Sequence, residues 1–165
     1  MKANEKKYLT LLAAVASLSF IFIQSALAQN SPNVLTFAAP AGITARPGET
    51  AQATLSVTVA PGYHANSNKP VDSYLIPLRL TWNPGPVVAV DVAFPKPRIQ
   101  KLGFSTKPVS VFTGKFDIVT RFRVAGDAAP GTDTVTGKLH YQACNETTCL
   151  TPKTIDVTLP VEIVK

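Results

Sequence analysis

The sequence predicts an all-β fold, an antiparallel sandwich of seven to nine short strands, and three observations carry that reading. Apolar and polar residues alternate with a period of two in several runs, Pro and Gly breakers separate the runs, and no segment beyond residue 28 shows a helical stripe. Alternation of this kind means one buried face and one wet one.

The chain opens differently. Lys2, Lys6 and Lys7 form a basic start, Leu9 to Ile23 is apolar apart from small hydroxyl residues, and Ala26-Leu27-Ala28 has the small-x-small pattern of a signal-peptidase site. A signal peptide over residues 1–28, cut after Ala28, is therefore expected. The alternative, an uncleaved anchor, is opposed by an apolar run shorter than the roughly 20 residues a spanning helix needs. No cysteine near the cut suggests a lipid-anchored form, and no other stretch is as long and apolar, so residues 29–165 are expected to make one soluble, exported domain.

In that domain Ala51, Ala53, Leu55, Val57 and Val59 alternate with Gln52, Thr54, Ser56 and Thr58. Ile76, Leu78, Leu80 and Trp82 share a face opposite Arg79 and Thr81. Val88, Val90, Val92 and Phe94 are expected to share one opposite Asp91. Lys96 to Val111, rich in Pro, Gly and Lys with Phe104 in its middle, reads as a long loop. Phe116, Ile118, Phe122 and Val124 form the next apolar face, Leu139, Tyr141 and Ala143 another, and Ile155, Val157, Leu159, Val161 and Ile163 the last. Breakers at Pro47-Gly48, Pro61-Gly62, Asn83 to Pro86, Pro95 to Pro97 and Pro130-Gly131 punctuate these runs. Such spacing in so short a domain favours an immunoglobulin-like sandwich over a barrel. Its size supports a real hydrophobic core without help from a disulfide.

Charge narrows the function. The whole chain carries +6, but losing residues 1–28 removes three lysines and one glutamate, leaving thirteen basic and nine acidic residues, a net of +4. The rest of the basic residues are scattered, with no Arg/Lys run interleaved with aromatics, so no nucleic-acid groove is expected. Neither a Gly-x-Ser-x-Gly nucleophile motif nor a Gly-rich phosphate loop occurs. Any catalysis should reside in sulfur.

The two cysteines, Cys144 and Cys149, have four residues between them. Asn145 to Thr148 make a plausible hairpin loop that sets the cysteines opposite each other, within reach of a disulfide. Continuing that register places Leu139 across from Thr154, whereas the core-facing residues of the last strand are Ile155 and Val157. A one-residue bulge near Pro152 would restore the match. Such a pair is either a structural staple, common in exported proteins, or an exchange site. In the chain-entropy model a ring of about six residues gains only ~2 kcal/mol, against ~4.7 for a ring near 100 residues. A stabilising cross-link is better placed between distant strands, while a short ring near a loop is open to attack by another thiolate.

Tyr141-Gln142-Ala143-Cys144, the spacer, Cys149-Leu150-Thr151-Pro152-Lys153-Thr154 and the closing Leu159-Pro160-Val161 resemble the redox hairpin of the N-terminal periplasmic domain of DsbD-type thiol:disulfide interchange proteins. Gly62-Tyr63-His64 with the strand after it resembles the segment whose aromatics pack beside that disulfide, and Phe94-Pro95 with the loop through Phe104 resembles the region that caps it. The resemblance implies an immunoglobulin-like domain that passes electrons to thioredoxin-fold partners after reduction by a separate membrane-embedded thiol reductase. It implies that Cys149 attacks and Cys144 resolves, with Tyr63, His64, Phe104 and Tyr141 supporting or capping, and with no cofactor, no metal and a monomeric state. The spacer is one residue shorter than in the best-known members, His64 stands where an aromatic is common, and Gln100-Lys101-Leu102-Gly103 replaces acidic cap residues.

His64 could exchange protons with the thiols or be a loop histidine bonded to backbone or water. Phe104 could shield the disulfide or fill the end of the sandwich, and Tyr63 and Tyr141 read as packing residues. A metal site from Cys144, Cys149, His64 and His140 has weak ligand spacing. The competing function is a secreted immunoglobulin-like binding module with an inert disulfide.

Overall fold

The computed structural model describes residues 33–165, which form one compact unit from Asn33 to Lys165. The expected signal peptide and its cleavage after Ala28 lie outside the described residues. No helix occurs among them.

Among the described residues twelve strands form three four-stranded sheets, so the all-β sandwich expected from the sequence is present, divided more finely than seven to nine strands. The first sheet contains β1 (Leu35–Phe37), β3 (Thr50–Val59), β9 (Lys115–Val124) and β6 (Val87–Ala93), in that order. The second contains β2 (Ile43–Ala45), β12 (Lys153–Ile163), β10 (Gly131–Tyr141) and β5 (Arg79–Trp82). A third and smaller one contains β11 (Ala143–Cys144), β4 (His64–Asn66), β8 (Val109–Phe112) and β7 (Arg98–Gln100). Pairing is antiparallel except between β12 and β2, which run parallel with Val161 opposite Ile43.

The two large sheets close over the core their alternation predicts. Leu55, Val57 and Ile118 from the first sheet pack in one buried cluster with Leu80, Leu139 and Val157 from the second. Trp82 ties the sheets together: its Nε1 donates to Thr120 Oγ1 at 3.1 Å, and its ring meets Phe122 edge-on at 5.2 Å. That bond satisfies the one polar side chain on the buried face of β9, Thr120. Gly137 lies beneath the indole, where a Cβ would come within 2.7 Å of Trp82 Cε3.

Two expectations are corrected. Val88 and Val90 are exposed, while Val87 is buried. The pairing with β9 runs Ala89 to Phe122 and then Asp91 to Arg121, so Val90 is an extra residue, a bulge that turns the strand over. Hence Val87 and Ala89 face inward before the bulge and Val92 and Phe94 after it. The loop expected over Lys96 to Val111 contains β7 and most of β8, pairing Arg98 with Val111 and Gln100 with Val109. All four residues of β8 are buried, so it lacks the alternation that marks a half-buried strand.

Candidate active site

The site is built where the third sheet meets β10. Ala60-Pro61-Gly62-Tyr63 turns the chain from β3 into β4: Tyr63 N donates to Ala60 O at 3.2 Å, and Gly62 adopts φ +78°. Pro second and a left-handed Gly third are the demands of a type II turn. The turn delivers His64, Ala65 and Asn66 into a strand in which all three are buried.

On the other side, β10 pairs with β12 through Leu139–Ile155 and Tyr141–Lys153. Beyond it Leu150 N donates to Ala143 O at 2.8 Å and Cys144 bridges Cys149. Between these two registers one residue, Gln142, faces two, Thr151 and Pro152. This is the one-residue slip expected from the hydrophobic pattern, at the proline where no amide hydrogen is lost. After it the strand changes sheets, and Ala143 and Cys144 pair with Ala65 and His64 of β4.

Cys144 and Cys149 form a disulfide with S–S 2.05 Å and a Cα separation of 3.9 Å, shorter than the usual range of roughly 4.4–6.8 Å. They occupy a position whose hydrogen bonds lie on the flanking residues, Asn145 N to Thr148 O at 2.9 Å and Leu150 N to Ala143 O, the arrangement in which opposed strands come closest. Asn145 Oδ1 accepts from the amides of Thr147 and Thr148 at 2.9 and 2.8 Å, and so holds the tip of the hairpin. The two cysteines are not equivalent. Cys144 is wholly buried and Cys149 only partly so.

His64 is directly opposite Cys144 and is 3% exposed. It belongs to a strand and not to a loop, and its buried Nε2 has no hydrogen-bond partner. Burial holds its pKa below the usual 6.5. Phe104 stacks over the imidazole, with ring centroids 6.0 Å apart and planes 16° from parallel. Phe104 also packs against Leu75, Leu102, Val109 and Val111, so it both covers the histidine and fills the end of the fold. The covering loop touches the hairpin through Gly103 N, which donates to Glu146 O at 3.2 Å. Between them opens a groove of about 540 Å³ lined by Tyr63, His64, Lys101, Leu102, Gly114 and Glu146, among others.

Tyr63 is half-buried against the main core cluster. Tyr141 is buried there, its hydroxyl lacks a partner, and desolvation raises its pKa above 10.0. His140 stands apart, its Nδ1 2.9 Å from Thr154 Oγ1. Among the described residues no group of three or more His, Cys, Asp or Glu is placed to hold a metal.

Two residues that the sequence did not single out support the hairpin from behind. Gln142 Oε1 accepts from Asn66 Nδ2 at 3.2 Å and from Ile76 N at 3.4 Å, while its Nε2 donates to Leu150 O at 3.2 Å. Asn66 Nδ2 also donates to Ile76 O at 3.1 Å. Gln142 shares a face with Cys144 and Asn66 with His64. Their signal in the sequence was a polar residue two positions away from each, before Cys144 and after His64.

Fold and site together define an immunoglobulin-like sandwich with a short hairpin disulfide, one cysteine buried and the other partly exposed, a form suited to thiol-disulfide exchange. Residues 33–160 match the family described as thiol:disulfide interchange protein DsbD, N-terminal, and the chain belongs to that family as a thiol:disulfide interchange domain. Among solved structures it is similar to the N-terminal periplasmic domain of ScsB from Proteus mirabilis, with TM-score 0.51 and 14% identity over 76% of this chain. The chain spans 44% of that structure's length. The seventh ScaB type I cohesin from Pseudobacteroides cellulosolvens gives TM-score 0.45 and 11% identity, covering 79% of this chain and 94% of that one. A search of curated proteins gave no match.

Proposed function

We propose that this chain is an exported carrier of electrons in the periplasm, with a signal peptide over residues 1–28 and a working domain over 29–165. A membrane-embedded thiol reductase reduces the Cys144–Cys149 disulfide, and the resulting dithiol reduces a disulfide in a thioredoxin-fold partner, the carrier acting as a monomer. Cys149 is the attacking thiol, Cys144 resolves the mixed disulfide, and Phe104 caps the pair. The observation that carries this reading is the asymmetry of the two cysteines: Cys149 is partly exposed, and Cys144 is fully buried. Exchange requires access to one sulfur only, because the second reacts within the protein.

Two half-reactions follow. Cys149 thiolate attacks the partner disulfide, forming a bond between proteins and expelling one partner sulfur, which takes up a proton. Cys144 then attacks Cys149 Sγ, restoring the intramolecular disulfide and expelling the second partner sulfur. Two electrons pass to the partner, and two protons accompany them.

The test is trapping. With the resolving thiol removed in Cys144→Ser, the reduced protein should hold a thioredoxin-fold disulfide protein in a covalent complex that a reductant releases, and Cys149→Ser should hold none. If neither variant forms such a complex, the carrier reading falls and the inert disulfide of a binding module replaces it.

A further inference from the structure

The exchange reading leaves a question of protons at the sulfur that solvent does not reach. Once the disulfide is reduced, Cys144 carries a thiol with no surface of its own. To attack Cys149 it must give up its hydrogen, and a thiol in apolar surroundings does so reluctantly. A proton acceptor inside the protein is needed.

We infer that His64 is that acceptor: its Nε2 takes the Cys144 proton in the step that resolves the mixed disulfide. The inference rests on the exchange reading above and goes beyond it. Two observations and one chemical requirement support it. His64 and Cys144 are directly opposed across β4 and β11, so their side chains leave the same face with Cβ atoms roughly 4.5–5.5 Å apart. The His64 Nε2 is buried and unpaired while the disulfide is closed, an arrangement that costs stability until a partner is supplied. A disulfide has no hydrogen to offer it, but the Cys144 thiol of the reduced form does.

The imidazole is also in the right state. Burial keeps it neutral at pH 7, so with its hydrogen on Nδ1 the Nε2 lone pair is free to accept. Other titratable groups near it are few. Cys149 and the exposed Glu146 come from the hairpin, the exposed Lys101 from the covering loop, and Tyr63 from the turn before β4, while β8 contributes none. Phe104 covers the ring, so the solvated Lys101 and Glu146 do not replace it at Cys144.

The step balances. The Cys144 S–H bond breaks and its proton goes to His64 Nε2, the Cys144 sulfur bonds Cys149 Sγ, and the bond from Cys149 to the partner sulfur breaks. The leaving partner thiolate keeps the electron pair, and the imidazolium returns its proton to that thiolate or to water in the groove.

The experiment mixes the fully reduced protein with a small aromatic disulfide whose released thiolate is coloured. Attack by Cys149 releases the first thiolate and resolution by Cys144 releases the second, so the two phases separate the two steps. Cys144→Ser should abolish the second phase and fix its assignment. His64→Phe keeps an aromatic ring under Phe104 but removes the nitrogen: the second phase should slow relative to the first by roughly a hundredfold near pH 7. In the wild type the second phase should weaken as pH falls below about 6.5 and into the range where His64 protonates. His64→Phe should instead show a rate rising with pH as the thiol itself ionises. His64→Asn, smaller and not basic, should share the loss. A second phase in both variants equal to the wild type from about pH 5 to 8 would overturn the assignment and leave exchange intact. Absence of the first phase from the wild type would remove the exchange reading and this one with it.

Discussion

Cys144 and His64 face each other across β11 and β4, the sulfur wholly buried and the imidazole 3% exposed with its Nε2 unpaired. That pairing sets an imidazole across from the cysteine that solvent cannot reach, and the buried ring also couples the fold to pH.

In the unfolded chain His64 takes up a proton near pH 6.5, while burial holds its folded pKa lower. Between those two values the unfolded state binds more protons, so stability rises with pH there. The contribution is fully present above about pH 6.5 and is lost as pH falls through the folded pKa. Denaturant titrations of the oxidised protein at about pH 7 and pH 5 should show a loss of stability on acidification that is smaller in His64→Phe. Equal losses in the two proteins would mean that His64 is not desolvated.

Gln142 holds together β4, the segment before β5 and the return of the hairpin through its contacts with Asn66, Ile76 and Leu150. Removing its amide leaves Asn66 Nδ2 with one partner fewer and Leu150 O without this donor. Gln142→Ala should lower global stability by about 1–3 kcal/mol and speed amide exchange at Ile76. A variant as stable as the wild type would show that water replaces the side chain without loss.

Phe104 covers His64 and, through Gly103 and Glu146, is tied to the hairpin tip. An aromatic pair of this kind is worth about 0.5–1.5 kcal/mol beyond its buried area. Phe104→Ala should therefore let a small thiol reduce the disulfide roughly two- to tenfold faster, measured by the appearance of free thiol under excess reductant. An unchanged rate would mean that the covering loop does not limit access.

Much of this architecture is written in alternation. Leu55 and Val57, Ile118 and Phe122, Val157 and Leu159 point inward as their period of two requires. The hairpin register alone would set Leu139 across from Thr154, so a slip was required, and it lies at Thr151-Pro152 opposite Gln142, restoring Leu139 to Ile155. Where alternation carries no information the reading loses its hold. Val87, Val88, Val90 and Val92 are all apolar, so nothing in their order marks Val90 as the bulge. β8 is buried on both faces and sits among prolines and lysines that suggest a loop. Asn66 and Gln142 lie 76 residues apart in the chain, and the pairing of β4 with β11 brings them together.

The central claim is that Cys144 and Cys149 are an exchange pair, and their equilibrium redox potential tests it most directly. Equilibrating the protein with a thiol-disulfide buffer of known composition should give a value between about −270 and −120 mV, the span from thioredoxin to the strongly oxidising periplasmic proteins. A value well below about −300 mV would contradict the claim and mark the bond as a structural cross-link.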